Sequence, residues 1–122
     1  MKAAGRFRIK RVYDAPSGDD GSRVLVDRLW PRGLSKSRAA VDLWLREIAP
    51  SDALRKWFGH DPARWVEFRA RYAKELADHS DEVARLRALL SKGPVTVLYG
   101  AKDEAHNNAL ALVDYLLAGK DD

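Results

Sequence analysis

The alternation of apolar and polar residues divides the chain into short strands and longer helices. Phe7–Tyr13 puts Phe7, Ile9 and Tyr13 on one side at period two and Val12 on the other, which predicts a strand. Asp14–Ser22 (DAPSGDDGS) carries turn residues and predicts a loop. In Arg23–Trp30, Val24, Leu25 and Val26 are continuously apolar. That run predicts a strand buried on both faces, as in a parallel or mixed sheet, stopped by Pro31-Arg32-Gly33. Ser35 is placed to cap a short helix over Lys36–Ala40. Val41–Ile48 fits two templates: Val41, Leu43 and Leu45 alternate like a strand, while Val41, Trp44, Leu45 and Ile48 fit one helical face. Pro50 ends it in either case.

Helical spacing dominates the second half. Ser51 caps a helix over Asp52–Phe58, with Gly59 as its stop. Asp61-Pro62 opens a helix with Trp65, Phe68, Tyr72 and Leu76 on one face, a stripe that reads as core. Ser80 is expected to cap the next helix, with Val83, Leu86, Leu89 and Leu90 inward and Lys92-Gly93-Pro94 ending it. His79 is expected near the C-terminal carbonyls of the preceding helix, as a surface histidine. Val95–Tyr99 (VTVLY) is the clearest strand. Asp103 or a near neighbour caps a last helix to about Ala118, stopped by Gly119, with Ala109, Leu112, Val113 and Leu116 apolar.

Strands alternating with helices predict a single small α/β domain over residues 1–122, with a frayed start over 1–5. Its sheet is short, mostly parallel, of three to four strands flanked by helices. Three strands make a thin sheet, so either Val41–Leu45 adds a fourth or a homodimer supplies more.

Composition removes several function classes. The 122 residues include no cysteine, which excludes disulfides, thiolate metal sites and a thiol nucleophile. Apolar runs are far short of a membrane span and no signal-peptide pattern opens the chain, so a membrane partner is not expected. The net charge of +4 is unevenly spread. Residues 1–40 hold ten Lys/Arg against four acids, and residues 41–122 hold twelve against fourteen. A basic first third points to an anionic partner, or else to ordinary solvated surface.

Three segments carry candidate chemistry. Asp27-Arg28-Leu29-Trp30-Pro31-Arg32-Gly33 follows an apolar strand, where ligands of open α/β sheets collect. Arg28 and Arg32 would fork an anion, or Asp27 and Arg28 form an internal ion pair beside a turn. The second runs from Ala49-Pro50-Ser51 through Leu54-Arg55-Lys56-Trp57-Phe58-Gly59-His60-Asp61. There His60 sits in an interhelical turn as a proton carrier, or as a helix-end hydrogen-bonding group over a core built on Trp57 and Phe58. The third, Tyr99-Gly100-Ala101-Lys102-Asp103-Glu104-Ala105-His106-Asn107-Asn108, runs from strand through turn to helix start. It suits an anion beside Lys102, or uses its asparagines for capping.

On this reading Arg28, Arg32, Lys102, His60 and His106 converge on one basic pocket. Asp27, His60 and His106 are the candidate acid–base groups; Arg28, Arg32 and Lys102 hold the anion; Trp30, Arg55, Tyr99, Asn107 and Asn108 position the ligand. Neither a metal ion nor a cofactor is expected, since the three histidines show no ligand spacing. Ser51, His60 and Asp27 could compose a Ser-His-Asp set, but no nucleophile elbow surrounds Ser51.

These three segments, together with Arg11-Val12-Tyr13-Asp14, resemble the YeaO-like branch of the domain-of-unknown-function 488 family over nearly the whole chain. The runs Val26–Gly33 and Arg55–Asp61 are the most specific. The resemblance implies a small, single-domain α/β protein of bacterial, cytoplasmic type whose motif positions are these segments. Larger relatives carry a Cys-His-Arg motif where this chain has His106-Asn107-Asn108, so their chemistry does not transfer. The expected function is binding of a small anionic ligand, a phosphate ester or nucleotide, with acid–base chemistry as an extension. The alternative is a nucleic-acid-binding or regulatory module that uses the basic first third, with Trp30 or Trp57 stacking on bases. An interaction protein without pocket chemistry is a third reading.

Overall fold

A computed structural model describes residues 7–118. Calls on Met1–Gly5 and Gly119 lie outside the described residues.

Among the described residues four strands form one sheet: β1 (Phe7–Arg11), β2 (Ser22–Leu25), β3 (Leu43–Trp44) and β4 (Val95–Tyr99), in the order β1-β4-β2-β3, every pairing parallel. β4 is central, and all five of its residues are buried. This explains why VTVLY is apolar without alternation: both faces of an inner parallel strand are covered. The ambiguous segment resolves into both of its templates. Leu43 and Trp44 pair with Val24 and Leu25 as the fourth strand, and Arg46–Ile48 winds into a 3-10 turn. The fourth strand therefore comes from within the chain.

Among the described residues five helices accompany the sheet: α1 (Lys36–Ala39), α2 (Asp52–Phe58), α3 (Trp65–Ala77), α4 (Ser80–Leu90) and α5 (Asn108–Ala118). The pleat splits the core in two. Val24, Val26, Val95, Val97 and Tyr99 pack with Phe58, Phe68, Tyr72, Leu76, Leu86 and Leu112 from the helices. Leu25 and Leu98 point the other way, against Val12 and Ala39, with Trp30, Leu34, Val41 and Trp44 around them. Each fully buried side chain of the Leu or Val kind contributes on the order of 1.5–3 kcal/mol. The Trp65–Phe68–Tyr72–Leu76 stripe is core as expected, Tyr72 donating its hydroxyl to the Ile48 carbonyl at 2.7 Å.

Several boundaries differ from expectation. β1 stops at Arg11 and β2 at Leu25, earlier than the apolar runs. One further rung survives on each, Val12 N–H to Tyr99 O at 2.8 Å and Val26 N–H to Leu98 O at 3.1 Å. Beyond Val26 the chain leaves the sheet, so Asp27 and Arg28 stand at its carboxyl edge. Ser51 caps α2 through Leu54 N–H, and Gly59 ends it with φ +54°. Asp61-Pro62 opens a 3-10 turn before α3 begins at Trp65. Ser80 lies inside α4, and His79 takes the cap position without a capping side chain. Its ring faces Glu82 at 3.8 Å, rather than resting on the end of α3. α5 starts at Asn108, five residues after Asp103, because the Asn107 side chain takes the Leu110 N–H at 2.8 Å.

Part of the basic first third is spent on the fold. Arg23 is 4 % exposed; its guanidinium donates to Ala39 O and Ala40 O, both at 2.9 Å, closing the C-terminal end of α1, and pairs with buried Asp20. Lys10 reaches both Asp20 carboxylate oxygens at 3.1 Å. Burial acts to raise the Asp20 pKa, but the Ser17 N–H, Lys10 and Arg23 outweigh it and hold the carboxyl below its ordinary value.

Candidate functional site

A cavity of about 220 Å³ opens where β2 and β4 end. Asp27, Arg28 and Leu29 enter it from the segment after β2, and Ala49 and Pro50 from the end of the 3-10 turn. Arg55, Phe58 and His60 come from α2 and the turn behind it, Phe68 from α3, and Ala101, His106, Asn107 and Asn108 from the segment joining β4 to α5. All three sequence motifs therefore meet in one place, as the position of strand carboxyl ends in a parallel sheet requires.

Asp27 organises the junction. One carboxylate oxygen accepts the Gly100 N–H at 2.8 Å, and the other accepts Asn108 Nδ2 at 3.0 Å. β2, the turn after β4 and the first residue of α5 are joined through this one side chain. Gly100 suits the closeness of this contact: a Cβ there would lie 3.1 Å from Asp27 Oδ2, a tight approach that the carboxylate would have to relieve by a small shift. Burial pushes the Asp27 carboxyl above its ordinary pKa, the Asn108 and Gly100 hydrogen bonds opposing. Arg11 secures the same turn from behind, through Ala101 O at 2.9 Å and Gly100 O at 3.2 Å.

Arg28 is held by Ala49 O at 3.1 Å, and its Nε is buried without a hydrogen-bond partner among the described residues. Arg55 lies on the exposed side of α2, paired with Asp52 at 2.9 Å. His60 has φ +57°, directly after Gly59 in the same left-handed region. A non-glycine residue held there stores strain on the order of 1–3 kcal/mol, a state that clusters at ligand-facing positions. His106 stands edge-on to the Trp65 ring, centroids 5.4 Å apart, and its Nδ1 lies 3.0 Å from Asp103 Oδ2.

Four expected members stand apart from the cavity lining. Arg32 and Lys102 are exposed and do not line it, so the convergence of five basic side chains reduces to Arg28, His60 and His106, with Arg55 added. The chain turns away after Leu29, and Arg32 offers its backbone carbonyl to the Tyr13 hydroxyl at 3.0 Å. Trp30 packs edge-to-face on Trp44 and donates to Leu34 O at 2.7 Å, on the opposite face of the sheet. Tyr99 is 3 % exposed and belongs to the core. Asn107 touches the cavity, but its side chain caps α5 and donates to Asp103 O at 3.1 Å and Glu104 O at 3.3 Å. The Ser51 hydroxyl donates to Glu75 at 2.6 Å and accepts Leu54 N–H at 3.1 Å, so it is committed to capping and does not join His60 and Asp27. Trp57 lies between the Arg71 and Arg64 guanidinium groups, at 4.2 and 5.3 Å.

Sequence reasoning missed Asp103 as the partner of His106, and Phe68 as part of the apolar lining beside Leu29 and Phe58. The Asp103–His106 spacing of three residues was a visible signal. Phe68 was not, because it reaches the site only through the packing of α3 on α2.

Among the described residues no helix is long and apolar enough to cross a membrane. The chain is 49% identical over 110 residues to the protein named uncharacterized protein YeaO of Escherichia coli strain K12, covering 90% of this chain and 96% of that one. It is 42% identical over 111 residues to the uncharacterized protein Rv3073c of Mycobacterium tuberculosis strain H37Rv, covering 91% and 93%. No solved structure matches. A family model described as the inactive DUF488-N3 subclade matches residues 6–121, and the chain belongs to this DUF488 subclade.

Proposed function

We propose that the protein binds a small organic anion, a phosphate ester or carboxylate, in the cavity at the carboxyl ends of β2 and β4. The observation that carries this reading is that two guanidinium-bearing residues, Arg28 and Arg55, line one cavity at the strand ends, Arg28 held in place by Ala49 O at 3.1 Å. A guanidinium presents several N–H donors in a planar fork, and charge-assisted bonds from it to a carboxylate or phosphate are among the stronger hydrogen bonds available. Arg55, paired with Asp52 at 2.9 Å, supplies a second cation to the lining. Leu29, Phe58 and Phe68 favour a ligand with an apolar or carbon-rich part over a bare inorganic ion.

The volume narrows the class. Cavities for drug-sized ligands run from about 300 to 1,000 Å³. At about 220 Å³ this one suits a compact phosphate ester better than a whole nucleotide. Binding without turnover agrees with the chemistry present: there is no cysteine, Ser51 is committed to a cap, and the subclade is described as inactive.

The test is ligand-induced thermal stabilisation across small phosphate esters and carboxylates. Arg28→Ala and Arg55→Ala abolish the shift, while Arg32→Ala and Lys102→Ala retain it. A ligand whose shift survives both Arg28→Ala and Arg55→Ala sinks the assignment.

A further inference from the structure

We propose that Asp103 is a positioning residue that fixes His106 as a hydrogen-bond acceptor toward the cavity, so that the ligand carries a donor, a hydroxyl, beside its anionic group. This rests on the cavity being the anion site.

The argument begins with the Asp103 carboxylate, whose rotamer is locked. Oδ1 accepts the backbone N–H groups of Ala105 at 2.9 Å and His106 at 3.0 Å, while Oδ2 faces His106 Nδ1 at 3.0 Å. An ionised carboxylate only accepts, so the shared proton sits on Nδ1. In the neutral imidazole Nε2 is then an acceptor, and it is the ring nitrogen left for a ligand. The ring makes a T-shaped contact with Trp65, and the backbone following it is fixed by the buried Asn107 side chain.

Asn108, which lines the same cavity, offers a second acceptor. Both amide hydrogens of Asn108 are used, one on Val26 O at 3.1 Å and one on Asp27 at 3.0 Å. What Asn108 has left for the cavity is its carbonyl oxygen. The residues lining the cavity thus include two cations, Arg28 and Arg55, and two side chains with a spare acceptor, His106 and Asn108. An anion lacking a donor leaves both acceptors unmatched. One with a hydroxyl a few bonds away pairs with them, a preference on the order of fivefold per net hydrogen bond of about 1 kcal/mol.

The experiment is nitrogen NMR of the His106 ring in the full chain, free and with two probes matched in carbon count, glycerol 3-phosphate and n-propyl phosphate. The expected result is the Nδ1–H tautomer in the wild type. Asp103→Asn keeps an oxygen for the Ala105 and His106 N–H groups but turns a donor toward Nδ1, so the ring changes to Nε2–H. Glycerol 3-phosphate moves the wild-type Nε2 resonance and binds severalfold more tightly than n-propyl phosphate. An Nε2–H ring in the wild type, or one tautomer in both proteins, overturns the role of Asp103. Equal binding of the two probes overturns the ligand class. Binding of neither counts against the anion site itself, while the tautomer still decides what Asp103 does.

Discussion

Asn108 Nδ2 bridges Val26 O and the Asp27 carboxylate, at 3.1 and 3.0 Å, and so fastens the first residue of α5 to the end of β2. Removing it leaves a buried carbonyl and a buried carboxylate short of a donor. Asn108→Ala is expected to lower stability by about 1–3 kcal/mol, measured by urea denaturation with an unchanged m-value. Asn108→Asp is expected to cost more, since it sets a second carboxylate against Asp27. A loss below about 0.5 kcal/mol for Asn108→Ala contradicts the bridge.

Asp27 gives a pH signature of defined sign. Its folded pKa lies above the ordinary 3.8, so the native state holds this proton more tightly than the unfolded chain. The stabilisation it contributes is fully present below pH 3.8 and is lost as pH rises through the folded pKa. Wild type is therefore expected to lose stability relative to Asp27→Asn across that rise. Carboxyl-carbon NMR of Asp27 provides the direct check: a midpoint at or below 3.8 contradicts the burial argument.

The buried Asp20–Arg23–Lys10 cluster behaves in the opposite sense. Asp20 has a folded pKa below 3.8, so its contribution is present above that value and fades as pH falls through the folded one. Asp20→Asn leaves Arg23, 4 % exposed, without its countercharge, and is expected to cost about 3–5 kcal/mol. The difference from wild type should shrink in acid. A loss that is the same at neutral and acid pH contradicts this account.

His60 separates stability from binding. Glycine occupies φ +57° without the Cβ clash, so His60→Gly is expected to keep the fold or gain about 0.5–1 kcal/mol while weakening anion binding. Thermal melts with and without ligand report both quantities. A large loss of stability with binding intact contradicts the reading of His60 as a strained ligand-facing residue.

Local chemistry made much of the architecture legible. Caps at Ser35 and Ser51, the glycine stop at Gly59 and the apolar run Val95–Tyr99 fall where propensity and periodicity put them, because nearby residues decide them. Asp27, Arg28 and His106 share a cavity because the carboxyl ends of β2 and β4 share one edge of a parallel sheet, and the packing of α2 brings His60 to it. Side-chain direction was the illegible part. Trp30 and Arg32 are close in sequence to Asp27, but the chain reverses after Leu29 and takes them elsewhere. The basic excess misled for a similar reason. Arg23, Lys10 and Arg11 look like a surface for an anionic partner, yet their targets are Ala39 O, Asp20 and Ala101 O, which lie far off in sequence or across a loop.

The central claim, an anion held by Arg28 and Arg55, is tested most directly by calorimetric titration of a small phosphate ester. Wild type, Arg28→Ala, Arg55→Ala and Arg32→Ala are compared at low and moderate salt. Binding by wild type and Arg32→Ala, with at least tenfold weakening in each of the other two, is the predicted result. Equal affinity in all four proteins, or weakening confined to Arg32→Ala, contradicts it.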